Sequence, residues 1–128
     1  MNTDRNNQAD NSRHFVRYYG LYGKPTIVAT HEKQGRFAFI CSSNGGATRV
    51  KHIRTYEINT ETHAVRLISL ITGERGQFPE YEATEGAWIS PEEEAGKKFY
   101  TALEKYTPKR KYKRLYEIAL AALEKINR

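Results

Sequence analysis

From residue 14 onward, aromatic and β-branched residues alternate with short clusters of turn formers, the pattern of strands in an antiparallel sheet. Apolar runs at 15–22, 26–31 and 36–42 are separated by Gly23-Lys24-Pro25 and by Gln34-Gly35, and Asn44-Gly45-Gly46 closes the third. The spacing predicts three strands joined by tight turns. Residues 49–71 read as a further hairpin, with a helical turn over 49–56 as the alternative. A turn centred on Thr60-Glu61 would set Ile58 against His63, Tyr56 against Val65 and Arg54 against Leu67 on one face, with Ile53 and Ile68 meeting on the other. Residues 73–86, rich in glycine and glutamate, predict an irregular acidic connection with a short strand at about 78–83.

The period then changes from two to 3.6. Ser90-Pro91-Glu92-Glu93 has the form of a capping box with proline at the first helical position. Ala95, Phe99, Ala102, Leu103 and Tyr106 follow at helical spacing, so a helix is expected to about Tyr106. Gly96 interrupts it at a cost of about 1 kcal/mol relative to alanine, which implies close approach by a neighbouring backbone. Thr107-Pro108 repeats the cap-and-proline signal and predicts a second helix to about Asn127, with Tyr112, Leu115, Tyr116, Ala119, Ala122, Leu123 and Ile126 on its apolar stripe.

Strands first and helices last give an α+β fold: an N-terminal antiparallel sheet of four to five strands packed against two C-terminal helices. Residues 14–128 form one domain on this reading. Residues 1–13, with no large apolar side chain after Met1, are expected to be a flexible leader. The single cysteine, Cys41, lies in an apolar run and reads as a small buried hydrophobe. With no bilayer-length apolar stretch and no secretory leader pattern, no membrane role and a cytoplasmic location are expected.

Charge changes this picture because it is unevenly placed. The net charge of +6 divides into +5 for residues 1–72, −6 for residues 73–94 and +7 for residues 95–128. A basic block beside an acidic one favours a polyanionic partner. Within the basic block, Lys105, Lys109, Arg110, Lys111, Lys113 and Arg114 interleave with Tyr106 and Tyr112. If the second helix starts at Pro108, Lys109, Arg110 and Lys111 fill its first turn. Cations there are disfavoured by roughly 0.3–1 kcal/mol each. Phosphate contact would explain the violation, and Arg49, Lys51 and Arg54 could extend the track. The bland alternatives are a solvated helix face with a Lys113–Glu117 pair, and docking of the cluster on the chain's own acidic belt.

Other chemistry is weakly marked. Gln34 to Ile40 resembles the aromatic strand of RNA-recognition motifs, but the basic residue follows the glycine instead of preceding it. There is also no room for the helix that family places between its first two strands, so Phe37 and Phe39 read as core. Ala87 to Glu93 loosely resembles the last strand and helix of some single-strand DNA binders; Ser-Pro-Glu-Glu is a generic cap, and the likeness assigns no family. His14, His31, His52 and His63 are scattered without metal-ligand spacing, and no cofactor is expected.

The leading expectation is therefore a small nucleic-acid-binding accessory protein, for DNA or RNA, contacting the phosphate backbone. A protein-interaction module, inhibitor or adaptor, acting through the acidic belt or a tyrosine-rich sheet face, is the second. A metal-independent nuclease using His52 and His63 beside Arg54 and Glu57 is the third.

Overall fold

A computed structural model describes residues 25–44, 50–74, 80–83 and 86–127. The expected leader and the strand at 15–22 lie outside these residues. Five antiparallel strands, β1 (Thr26–Lys33), β2 (Arg36–Asn44), β3 (Val50–Asn59), β4 (Val65–Glu74) and β5 (Glu80–Ala83), form one sheet in sequence order. Helices α1 (Glu94–Tyr106) and α2 (Lys113–Ile126) follow, giving the α+β arrangement that the order of periods implies.

Each turn has a local cause. The β1–β2 connection is two residues long, with Gln34 at φ 45° and Gly35 at φ 80°. Left-handed backbone at both central positions is what a tight hairpin needs to match strand twist. The β3–β4 loop is longer than the sequence suggests. Asn59 Oδ1 accepts from the amides of Glu61 and Thr62 (2.9 and 3.1 Å), and the Asn59 amide donates to the Ala64 carbonyl (2.9 Å). The loop therefore spans 60–64, Ile58 pairs with Val65 and not His63, and Tyr56 pairs with Leu67. A bulge beside Tyr56 then shifts the register again, so that Arg54 pairs with Leu70 and Ile53 with Ile71. A bulge reverses which residues face inward. Accordingly Val65 and Leu67 are buried before it and Leu70 after it.

One face of the sheet carries the core. Phe37, Phe39 and Cys41 of β2 and Tyr56 and Ile58 of β3 are buried with Ala95, Phe99, Tyr100 and Leu103 of α1 and Leu115, Ile118, Ala119 and Ala122 of α2. Phe99 packs over β2 and β3, its ring 6.1 Å from Phe39 and 5.1 Å from Tyr56. Such rings each contribute roughly 1.5–3 kcal/mol by burial. Tyr100 buries its ring and donates its hydroxyl to the His63 carbonyl (2.6 Å), tying α1 to the β3–β4 loop. Cys41 is buried as expected, and burial pushes its thiol up to about 12.

The capping box forms in altered register. The Ser90 amide donates to the Glu93 carboxylate (2.7 Å), but the Ser90 hydroxyl oxygen accepts from the Glu92 amide (3.2 Å), and regular helix begins at Glu94. Gly96 fulfils its expectation: a Cβ there would lie 2.1 Å from the Ser90 carbonyl oxygen and 2.9 Å from Pro91 Cα. The turn at 90–91 thus rests directly on the α1 backbone. Upstream, Ile89 pairs with Val65 by two backbone hydrogen bonds and the Gly86 amide donates to the Leu67 carbonyl, laying segment 86–89 along β4.

Candidate functional site

The basic segment is built by the end of one helix and the late start of the next. The Thr107 amide and hydroxyl both donate to the Leu103 carbonyl (2.9 and 2.6 Å), so Thr107 closes α1; the sequence pattern had made it the start of α2. Residues 109–112 form a turn, closed by the Tyr112 amide on the Pro108 carbonyl (3.0 Å), and helix begins at Lys113. Lys109, Arg110 and Lys111 accordingly stand just ahead of α2, not within its first turn. Lys113 and Arg114 are the first-turn cations. No acidic residue accompanies them, and the N-cap, Tyr112, makes no side-chain cap bond. Polarity at the α2 N-terminus thus runs against the macrodipole rule, whereas α1 obeys it, with Glu94 first and Lys105 last.

Lys105, Lys109, Arg110, Lys111, Lys113 and Arg114 are all exposed. Three lysines rest over tyrosines: Lys105 Nζ is 5.3 Å from the Tyr106 ring centroid, Lys109 Nζ 5.2 Å from Tyr116 and Lys111 Nζ 5.6 Å from Tyr112. Tyr112 in turn donates its hydroxyl to the Val28 carbonyl (3.1 Å), fixing the segment against β1. Lys105 also borders a shallow hollow of about 520 Å³ along α1, beside Lys97 and Lys98.

Arg114 differs from its neighbours. Its Nε and Nη2 donate to both carboxylate oxygens of Glu32 on β1 (3.0–3.3 Å), a forked pair open to solvent on both sides. The hydrogen bond from Arg114 holds the Glu32 carboxyl below its usual value, and Glu32 holds the guanidinium above its own. Arg114 therefore fastens α2 to the sheet with a largely neutralised charge. No Lys113–Glu117 pair forms among the described residues.

The extension of the track is not assembled. Arg54 is only 1% exposed, because it shares the inward face of β3 with Tyr56 and Ile58, and it cannot reach a phosphate from there. Lys51 is described only by its backbone, in register with Asn44 and Gly73, and Arg49 lies outside the described residues.

The histidine pair is not assembled either. His52 lies opposite Ser43 at one end of β3, and His63 lies in the loop beyond the other end. Seven residue-to-residue steps along the strand separate His52 from Asn59, about 23 Å at the usual rise. Burial and then the charge of Arg54 hold His52 below its ordinary value. Burial, then Lys125 and Arg114, do so for His63, against a smaller opposing effect of Glu92. No group of three or more residues suited to a metal ion occurs among the described residues. Nor is any described helix long and apolar enough to cross a membrane.

The correct hairpin register reveals a cluster the sequence reading did not find. Glu57 stands opposite Arg66, and at the outer face of the sheet Glu57 Oε1 accepts from Arg36 Nη1 (3.1 Å) and from Arg66 Nε and Nη2 (2.9 and 2.8 Å). Trp88, on the segment laid along β4, has the Arg66 guanidinium 4.6 Å and the Arg36 guanidinium 4.9 Å from its ring centroid. The indole remains 36% exposed.

A scan against protein-family models, a search of curated proteins and a search of solved structures each returned no match.

Proposed function

We propose that this protein binds nucleic acid through its phosphate backbone, using the basic segment between α1 and α2. One observation carries the reading. Lys105, Lys109, Arg110, Lys111 and Lys113 are exposed and have no acidic partner among the described residues, next to a helix N-terminus with no acid in its first turn. Like charges gathered at the positive end of a helix repel one another and the helix dipole, and an anion bound there relieves both. Arg114 makes the cluster's one ion pair among the described residues, to Glu32 outside the acidic belt.

The test is fluorescence anisotropy of labelled single- and double-stranded DNA and RNA at two or more salt concentrations. Binding should weaken steeply with salt, and each cation removed should lower the log–log slope by about 0.7 on single strands and about 0.9 on duplex DNA. The double variant K109E/K111E should show a fall at least twice that, while Arg114→Gln, whose charge is already paired, should alter the slope less than Arg110→Gln. Undiminished affinity in K109E/K111E would remove the segment from the interface.

A further inference from the structure

We infer that Trp88, Arg36 and Arg66 form a composite stacking platform for an unpaired base of single-stranded nucleic acid, an inference that rests on the phosphate-binding reading. Three features converge on this surface. Trp88 is the molecule's one tryptophan, and it is not in the core but at the outer face, with part of its indole open to solvent. Two guanidinium groups lie within 5 Å of its ring centroid. Both guanidiniums are anchored through a single carboxylate oxygen of Glu57, which holds two long side chains in place in advance of any ligand.

The charge balance selects the ligand. Two cations and one carboxylate leave the cluster at +1, which disfavours a cationic guest of the aromatic-cage type and favours an anionic one. Among the described residues Arg36 spends one of its five side-chain N–H donors on Glu57, and its side chain is 47% exposed, so donors remain for a phosphate beside the ring. Planar π surface with an adjoining phosphate donor is the chemistry that accepts a nucleotide: bases stack on indole and guanidinium planes alike.

Placement joins the platform to the basic segment. Arg114 grips Glu32, next to Lys33, and Lys33 pairs with Arg36 across the two-residue β1–β2 turn. Arg36 then reaches Glu57, Arg66 and Trp88 across the outer face. A strand whose phosphates lie on residues 109–113 can therefore pass around that turn and set a base on Trp88. Segment 86–89 presents the ring because its backbone is bonded to β4 and the following turn is seated on Gly96.

Because Trp88 is the sole indole, its emission reports this site alone. The experiment titrates a short oligothymidylate into the protein while recording tryptophan emission, with the anisotropy of a labelled copy measured in parallel. An abasic oligomer of the same length and poly-glutamate serve as controls. The expected result is saturable quenching by oligothymidylate with the same midpoint as the anisotropy change, and little quenching by either control. Trp88→Ala should weaken oligothymidylate binding roughly 5- to 150-fold and leave abasic binding within about twofold. Anisotropy that saturates with unchanged emission would overturn the platform while leaving phosphate binding intact. Absence of any anisotropy change at low salt would overturn both. Equal quenching by poly-glutamate would make the cluster a carboxylate-binding surface and would also overturn the inference. The wild-type titration decides these outcomes even if the alanine variant does not fold.

Discussion

Replacing Gly96 by alanine tests the packing that presents Trp88. At an open helix position this substitution gains up to about 1 kcal/mol, because alanine is the better helix former. Here the added methyl would lie 2.1 Å from the Ser90 carbonyl oxygen and 2.9 Å from Pro91 Cα, both backbone atoms that no rotamer change can move aside. The turn at 90–91 must retreat, and overpacking of this kind costs about 1–3 kcal/mol. Retreat also pulls on the Ser90 amide bond to Glu93 and on the Ile89–Val65 pair. Each such bond contributes about 0.5–1.5 kcal/mol net. Setting these losses against the propensity gain leaves a destabilisation of about 2 kcal/mol, or a Tm lower by roughly 6–10 °C for a chain of this size. Thermal melts by circular dichroism of wild type, Gly96→Ala and the exposed neighbour Lys97→Ala measure it, the last expected within about 0.5 kcal/mol of wild type. Trp88 emission, two residues from Ser90, should shift in Gly96→Ala alone. A Tm for Gly96→Ala equal to or above wild type would refute the argument.

Two further outcomes follow from burial. Truncating Arg54 to alanine should cost about 2–5 kcal/mol, as for other large buried side chains, and should leave the salt dependence of nucleic-acid binding unchanged; a slope reduced by close to one unit would return Arg54 to the interface. Acidification should destabilise the protein through His52 and His63. Both are held below the ordinary value of about 6.5 in the folded chain, so the unfolded chain binds more protons and stability rises with pH. Their contribution is complete above about pH 6.5 and declines as pH falls from there toward the folded values. Asparagine tolerates the left-handed backbone at position 63, so His63→Asn should lose less Tm than wild type between pH 7 and 5.5, and equal losses would exclude His63 as a source.

Much of the architecture was legible because it rests on local patterns. Period-two runs marked β1 to β4, the change to period 3.6 marked both helices, and Gly96 announced a close contact before any neighbour was known. Register was not legible, since it depends on how a loop satisfies its own backbone. Asn59 accepts two amides and lengthens the β3–β4 loop, moving the pairs next to it by two residues, and by three beyond the bulge, and concealing the Glu57–Arg66 pairing on which the Trp88 cluster depends. Helix boundaries failed for a related reason: Thr107 is compatible with either end of a helix, and its hydroxyl bond to Leu103 decides the matter. The cations at 105–114 were visible as a charge run, but their pairing was not, because Glu32 lies 82 residues from Arg114. Arg54 could have been read correctly. It shares parity with Tyr56 and Ile58, and that alternation outweighs its charge.

The order of the sheet also bears on how the chain reaches its folded state. Every strand in the described sheet pairs with its neighbours in sequence, so the sheet grows by successive hairpins whose closures are short and entropically cheap. The helices that cover it come afterward. During synthesis the hairpins of β1 to β4 emerge from the ribosome before Phe99 and Leu115, leaving Phe37, Phe39 and Tyr56 facing water until both helices have emerged. That interval is the stage at which a nascent chain of this design is most exposed to aggregation and most dependent on chaperones.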